Sequence, residues 1–332
     1  MSIIHGKIDE VKWEEFLASR SDSTIYHTPE WSRFLIRTFN YEPFHIFAED
    51  DVGDIKGFLP LYKIPNIKLS KELCSVPFAH RAGYVGDPSF VNEVLDAAIE
   101  VARKTTGGRI NIKDRVDHKS LNVRCDFCTH ILELSSSSEE VWSKLDRGSA
   151  RWAVNKARKM GVSVRESREP DDIDAFYHLN CLTKKALGVP CHPRMFFKNL
   201  MDELPKNTKL YLSEFEGEAI GGGLMEYYGD KVIYGYGAAN PSNLQMHPYN
   251  AFLWKSIEDA CHSGYRTFDF GRTSKENTGL MNFKSKWGTK ELNLCYTSDR
   301  PTKTGINRTG TVYRLGSYGF KHMPMGMVIM AS

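Results

Sequence analysis

The chain lacks any apolar run long enough to cross a bilayer, and its opening residues, MSIIHGKIDEVKWEEF, set acids and lysines where a secretion signal needs an apolar core. A soluble, cytoplasmic protein is the expectation. It also lacks charge excess: 44 Lys and Arg against 41 Asp and Glu leave a net +3, too little for a protein that coats DNA, so any site for a polyanion must be local. Cysteine is scarce and odd in number. Seven in 332 residues read as reduced thiols rather than a disulfide framework. The one close pair, Cys125 and Cys128 with His130 following, has no second pair to complete a tetrahedral zinc site and lies in an alternating, strand-like segment, so no metal is expected. Missing too are a GxSxG elbow, a Walker loop, an HExxH helix and a GxGxxG after a strand. Those absences remove serine hydrolases, NTPases, zinc proteases and dinucleotide enzymes as leading readings.

What is present is an ordinary globular composition, 41% hydrophobic and 26% charged, in a chain longer than one compact core usually supports. Two domains are expected. The pattern predicts helices from Asp9 to Arg20 and from Pro29, with Thr28 as its N-cap, then strands at Phe44 to Ala48 and Ile55 to Ile64 across an acidic turn. A helix from Val91 to Lys104 and a strand from Arg109 to Lys113 follow. The second half predicts helices at Asp171 to Leu187 and Pro193 to Glu203. Three strands follow, Lys209 to Glu214, Ala219 to Tyr228 and Lys231 to Ala238, then a polar loop, a helix from Tyr249 to Ser263 and a strand from Gly264 to Phe270. The hairpin FAEDDVGDIKGFLPLY is echoed by LSEFEGEAIGGGLMEYY, and VNEVLDAAIEVARKTTGGRINIK by YNAFLWKSIEDACHSGYRTFDFG. The chain therefore reads as a tandem duplication of one α/β unit with mixed sheets, residues 1–134 and 135–300, the first completed by 301–332 as a docking helix or arm.

Two stretches carry unusual charge. A helix expected from Ser135 to Met160 bears Lys144, Arg147, Arg151, Lys156, Arg158 and Lys159 beyond its first turn with only Asp146 against them, which suits contact with phosphate. The segment GYRTFDFGRTSKENTGLMNFKSKWG, Gly264 to Gly288, runs an aromatic strand into a loop holding Asp269, Arg272 and Lys284. The first copy continues as INIKDRV without that elaboration. Charges set among aromatic residues at a strand end are either rim-exposed or converge on something polar.

The order of elements resembles the acyltransferase fold of the GNAT superfamily, giving an α/β, mixed α+β class with two tandem GNAT-like acyl-CoA N-acyltransferase domains. In that superfamily the acyl-CoA pyrophosphate rests on a glycine-containing loop before a helix. The corresponding loop here, Ala239 to Pro248, has no glycine, which argues against that mode of binding. A closer resemblance is to the FemAB family, the tandem-GNAT aminoacyltransferases also described as peptidoglycan-bridge or methicillin-resistance-type proteins. It rests on Thr28-Pro29-Glu30-Trp31, Arg151 with Asn155 to Val162, Thr183 with Gly188-Val189-Pro190 and Phe196-Phe197, Asn250 with Leu253-Trp254, and above all FDFGRT with TGLMNFKSKWG.

That resemblance implies transfer of an aminoacyl or acyl group onto an amine. Aminoacyl-tRNA would be the donor substrate, with acyl-CoA the alternative; no tightly bound cofactor is implied, and a phosphate-bearing acceptor is compatible with it. The family's Phe-Lys pair falls on Phe283 and Lys284, where an ammonium would stabilise the developing oxyanion or meet the tRNA end. Asp269 is the candidate to take the amine proton or to serve as a structural partner of Arg272. Arg272, Trp31, Asn250, Tyr236, Arg151, Lys156 and Arg158 are the candidate substrate-binding residues. Leu35 stands where cross-bridge members tend to place a lysine, so the chain resembles the broad family more than those members. A monomer or homodimer is expected. A non-catalytic module binding RNA or phosphate is the alternative of another class.

Overall fold

The computed structural model describes residues 2–6, 8–65 and 71–299. They form two compact units, Met1–Cys128 with a return segment starting at Asn293, and Thr129–Leu292. The expectation for 301–332 lies outside the described residues.

In chain order the first unit holds β1 (Ser2–His5), α1 (Glu10–Ala18), α2 (Pro29–Phe39), β2 (Glu42–Pro43), β3 (Ile46–Glu49), β4 (Ile55–Leu59), β5 (Tyr62–Pro65), β6 (Lys71–Cys74), β7 (Val85–Gly86), α3 (Val91–Thr106) and β8 (Ile110–Ile112). Strand β9 (Asn122–Glu133) carries the chain into the second unit. There follow α4 (Ser138–Lys144), α5 (Trp152–Lys159), β10 (Ser163–Ser167), α6 (Pro170–Leu187), α7 (Met195–Glu203), β11 (Thr208–Phe215), β12 (Glu218–Tyr228) and β13 (Lys231–Ala239). The unit closes with α8 (Pro248–His262), β14 (Thr267–Asp269), β15 (Thr273–Ser274) and α9 (Thr278–Ser285), and β16 (Lys290–Ser298) leads back to the first.

Local chemistry explains the boundaries. Thr28 Oγ1 accepts from the Trp31 amide at 3.3 Å with Pro29 in the first turn, and Asn40 ends α2 in the left-handed region. Its face of Trp31, Phe34 and Leu35 is fully buried. α6 opens on Pro170 with Asp171 and Asp172 in its first turn and stops at left-handed Gly188 after Lys184 and Lys185, an arrangement that complements the helix dipole at both ends. In the first unit β3 and β4 form the expected hairpin, with β1 and β7 at the edges of that sheet. In the second, the order is β10-β11-β12-β13-β14-β9, antiparallel except between β13 and β14.

The core of the second unit is the face of this sheet under α8, with Phe252, Leu253, Ile257, Phe268 and Trp287 buried together. Three consecutive glycines of β12 let the layers meet. A Cβ at Gly221 would stand 2.6 Å from Pro248 Cβ, one at Gly222 2.8 Å from Tyr211 O, and one at Gly223 2.4 Å from the Phe252 ring. The strand is bare backbone where the helix is seated.

Two expectations are corrected. The helix expected to run unbroken from Ser135 to Met160 is interrupted: Leu145 and Asp146 are extended, a π-helical turn covers Arg147–Arg151, and α5 begins at Trp152. Asp146 accounts for the break, because its carboxylate takes the Ser149 hydroxyl at 2.9 Å and its carbonyl takes the Arg151 amide. The thiols are not all reduced. Cys125 and Cys295 form a disulfide across neighbouring strands β9 and β16, 170 residues apart in sequence, while Cys74, Cys128, Cys181, Cys191 and Cys261 are free and buried. Spacing along the chain carries no sign of that pair, since only the return of β16 brings the two together.

Candidate active site

Parallel pairing of β13 with β14 covers Lys231 with Thr267, Val232 with Phe268 and Ile233 with Asp269, and then stops. β13 continues along β12 to Ala239, while the chain after Asp269 turns at Gly271, whose φ is +70°. A split thus opens in the sheet at the end of the segment whose charges stood out in the sequence. Irregular register between Leu224 and Met225 leaves Gly235 as an extra residue of β13 beside the split.

Lys284, on α9, is only 3% exposed. Its Nζ donates to Phe270 O at 2.5 Å and to Gly271 O at 2.7 Å, the two carbonyls that follow β14. An ammonium has three donors, and two of them hold the strand end. Asp269 faces the same turn: its Oδ1 accepts from the Gly271 amide at 2.7 Å and from the Thr129 hydroxyl. His130, buried on β9, has an imidazole pushed below its ordinary pKa by burial and then by the charge of Lys284. Arg272 is exposed at the strand end.

Phe283, the neighbour of Lys284, lines an open pocket of about 250 Å³. Its walls come from three stretches: the π-helical turn and start of α5, the start of α8, and the end of α9 with Trp287. Aromatic rings dominate, with Trp152, His247, Phe283 and Trp287; Gly148, Ala150 and Ala153 leave room between them; Ser149, Asn250 and Lys286 are polar. His247 sits in the left-handed region at φ 56° and N-caps α8, its ring edge-on to Trp152 with centroids 5.1 Å apart. Burial, then the charge of Lys156, holds its imidazole below the ordinary value. Its buried Nε2 and the Nε1 of fully buried Trp287 have no hydrogen-bond partner. The loop before α8, which has no glycine, is a 3-10 turn (Pro241–Met246), with Asn240 accepting from the Ser242 amide at 3.0 Å.

The sequence candidates are thus distributed. Phe283 and Asn250 line the pocket, and Lys284 and Asp269 organise the split beside it. Lys156 lies over the Trp152 ring, 4.8 Å from its centroid, near the pocket. Arg158 lies over Trp142 and lines a separate cleft of about 140 Å³ with Trp254 and Glu258, so the basic residues do not share one face. Arg151 turns back on its own backbone, donating from Nε to Leu145 O at 2.9 Å and from its guanidinium to Ser143 O. Tyr236 packs among His192, Phe196 and Phe197. Trp31 is part of the core of the first unit, edge-on to Tyr26 at 4.6 Å. Sequence reasoning missed Trp152, His247, Trp287, Thr129 and His130. Only the exposed tryptophan in a basic helix offered a signal.

Among the described residues no cluster of His, Cys, Asp or Glu is arranged to hold a metal ion, and no helix is long and apolar enough to cross a membrane.

Residues 146–285 match the acetyltransferase (GNAT) domain family. The chain is 20% identical over 298 residues to the UDP-N-acetylmuramoylpentapeptide-lysine N(6)-alanyltransferase of Weissella viridescens, covering 80% of this chain and 85% of that one. The crystal structure of FemX superposes with a TM-score of 0.71 at 18% identity, covering 96% of this chain and all of the other. A tandem GNAT protein from the clavulanic acid pathway superposes at 0.55 with 10% identity, covering 91% and 99%. The Fem-type resemblance, the tandem GNAT-like fold and the transferase class are borne out.

Proposed function

We propose that this Fem-type chain transfers an aminoacyl group from an activated ester, aminoacyl-tRNA, to the amine of a cell-wall precursor peptide. The carrying observation is the ammonium of Lys284, buried and fixed on the carbonyls of Phe270 and Gly271 where β13 and β14 part.

In aminolysis the amine lone pair attacks the ester carbonyl and forms the C–N bond, and negative charge gathers on the carbonyl oxygen. Collapse breaks the C–O bond to the ribose, and the proton lost by the amine ends on the departing hydroxyl. A positive charge held in place before reaction stabilises that oxyanion without reorganising, and burial strengthens it. Lys284 has this character. Asp269, engaged with Thr129 and Gly271, is a positioning residue that fixes the turn carrying those carbonyls.

The donor assignment is supported by the turn at Pro241–Met246. A capped 3-10 turn without glycine does not present the row of free amides that a CoA pyrophosphate uses. The acceptor assignment is supported by the relative that acts on a muramoylpentapeptide lysine. Charged tRNA incubated with amine acceptors tests the reading: wild type should form amide product and Lys284→Ala should lose on the order of a hundredfold in rate. Undiminished transfer by a folded Lys284→Ala protein would remove the assigned role.

A further inference from the structure

A second cleft lies further along the seam of α5 and α8, and nothing in the transfer reading uses it. Its floor is apolar: Val154 of α5, Val162 and Val164 at the start of β10, and Ala251 and Trp254 of α8, all but Val164 buried. Its volume of about 140 Å³ is close to the roughly 150 Å³ of a cavity that one benzene fills, so an isopropyl group with its attached carbon occupies it and an indole overfills it. The rim is charged: Arg158 comes from α5, Lys255 and Glu258 from α8. Lys255 is already engaged, with Nζ 2.6 Å from Asp259 Oδ1 and 3.9 Å from Glu258. Arg158 is differently placed. Its guanidinium lies over the Trp142 ring, 5.8 Å from the centroid, and has no carboxylate partner among the described residues. Trp142 is itself braced edge-on against Trp254, with centroids 4.6 Å apart. Stacking fixes the plane of a guanidinium and leaves its N–H edge open, the form in which arginine grips a carboxylate with two parallel hydrogen bonds. Glu258, which Lys255 holds only at the limit of an ion pair, offers a negative charge on the opposite helix.

We propose that this cleft binds a free aliphatic α-amino acid of the size of valine, with its carboxylate on Arg158, its ammonium on Glu258 and its side chain on the valines of the floor. Each part of the cleft selects one part of that ligand. A simple carboxylic acid leaves Glu258 unanswered, a simple amine leaves Arg158 unanswered, and a bulky aromatic side chain has no room. Arg158 and Glu258 stand on different helices, so an occupant ties α5 to α8, the helices that also contribute Trp152 and Asn250 to the neighbouring pocket. The site goes beyond transfer chemistry and does not depend on it.

The test titrates the full chain with L-valine by calorimetry, beside isobutylamine, which lacks the carboxylate, α-ketoisovalerate, which lacks the ammonium, N-acetylvaline and tryptophan. Valine should bind with a Kd on the order of 1 mM and raise Tm with concentration. The amine and the keto acid should each bind about tenfold more weakly, and tryptophan should not bind. Arg158→Gln should erase the preference for valine over the amine while keeping the preference over the keto acid, and Glu258→Gln should do the reverse. A residue that only held the fold together would weaken every ligand alike. Equal binding of valine and the amine by wild type, preferences unchanged in both variants, or no binding of valine up to about 50 mM overturns the assignment. N-acetylvaline binding as tightly as valine overturns it too, because the occupant is then the end of a peptide and not a free amino acid. Arg158 is exposed, so Arg158→Gln should fold; should Glu258→Gln fail to fold, Arg158→Gln and the ligand series on wild type decide. No readout involves transfer, so failure here and failure of the transferase reading are separate results.

Discussion

Lys284 Nζ donates to the carbonyl of Gly271 at 2.7 Å, so a buried positive charge is tied to the first turn after the strand where the sheet divides. This makes the lysine structural and electrostatic at once. Lys284→Ala should lower stability by roughly 2–4 kcal/mol, because two carbonyls lose a charged donor, as well as slowing transfer. Urea denaturation and single-turnover rates on the same sample separate the effects. Lys284→Arg should recover stability more than rate, since a planar fork cannot reproduce the placement of an ammonium.

Arg151 and Lys156 should part company although they lie five residues apart. Arg151 closes the break between α4 and α5 on the carbonyls of Leu145 and Ser143, so Arg151→Ala should cost about 2 kcal/mol of stability. Lys156→Gln should leave stability nearly unchanged. It should weaken tRNA binding and reduce the dependence of log affinity on log salt by about one. Equal loss of thermal stability in the two variants would contradict this division.

Acid should destabilise the first unit before carboxylates titrate. His27 and His45 are buried, and burial holds them at about 4 and about 3, against 6.5 when exposed. Their neutral forms are accommodated by the Gly83 carbonyl for His27 and the Leu61 amide for His45. The unfolded chain takes up these protons at higher pH than the folded one. The stability they contribute is therefore complete above about pH 6.5 and is lost as pH falls towards 3 to 4, by several kcal/mol in all. The urea midpoint should drop between pH 7 and pH 5, and His45→Gln should flatten that drop.

The disulfide between Cys125 and Cys295 closes a loop of 170 residues. Its reduction, or Cys295→Ser, should lower stability by about 2–4 kcal/mol. Thermal melts with and without a thiol reductant read this directly. Cys128→Ser should leave the response to reductant unchanged, because Cys128 is a free thiol.

Much of this was legible because it is local. Thr28 and Pro29 announce α2, and the runs around Phe215-Glu216-Gly217-Glu218 announce the β11–β12 hairpin, since caps and turns act over a few residues. The repeated order of elements disclosed the duplication, and the Phe283-Lys284 pair was singled out beforehand. The pocket was not legible: it joins residues near 150, 250 and 285, which no periodicity links. Helix α9 is eight residues long, contains Gly279 and carries a charged Lys284 as its buried residue, so it has no amphipathic signature. The break at Leu145-Asp146 was hidden because Asp146 reads as one more charge on a helix until its bond to Ser149 is known.

The three glycines at 221–223 bear on how this protein can diversify. With Pro248 and Phe252 resting directly on backbone, side-chain enlargement there has nowhere to go, and α8 cannot be raised, lowered or rotated by trading one residue for another. The strand beneath α8 is in effect a fixed datum. Variation in the pocket beside Phe283 is left to its walls, Trp152 and Phe283 foremost, and libraries that mutate the glycines will return unfolded protein.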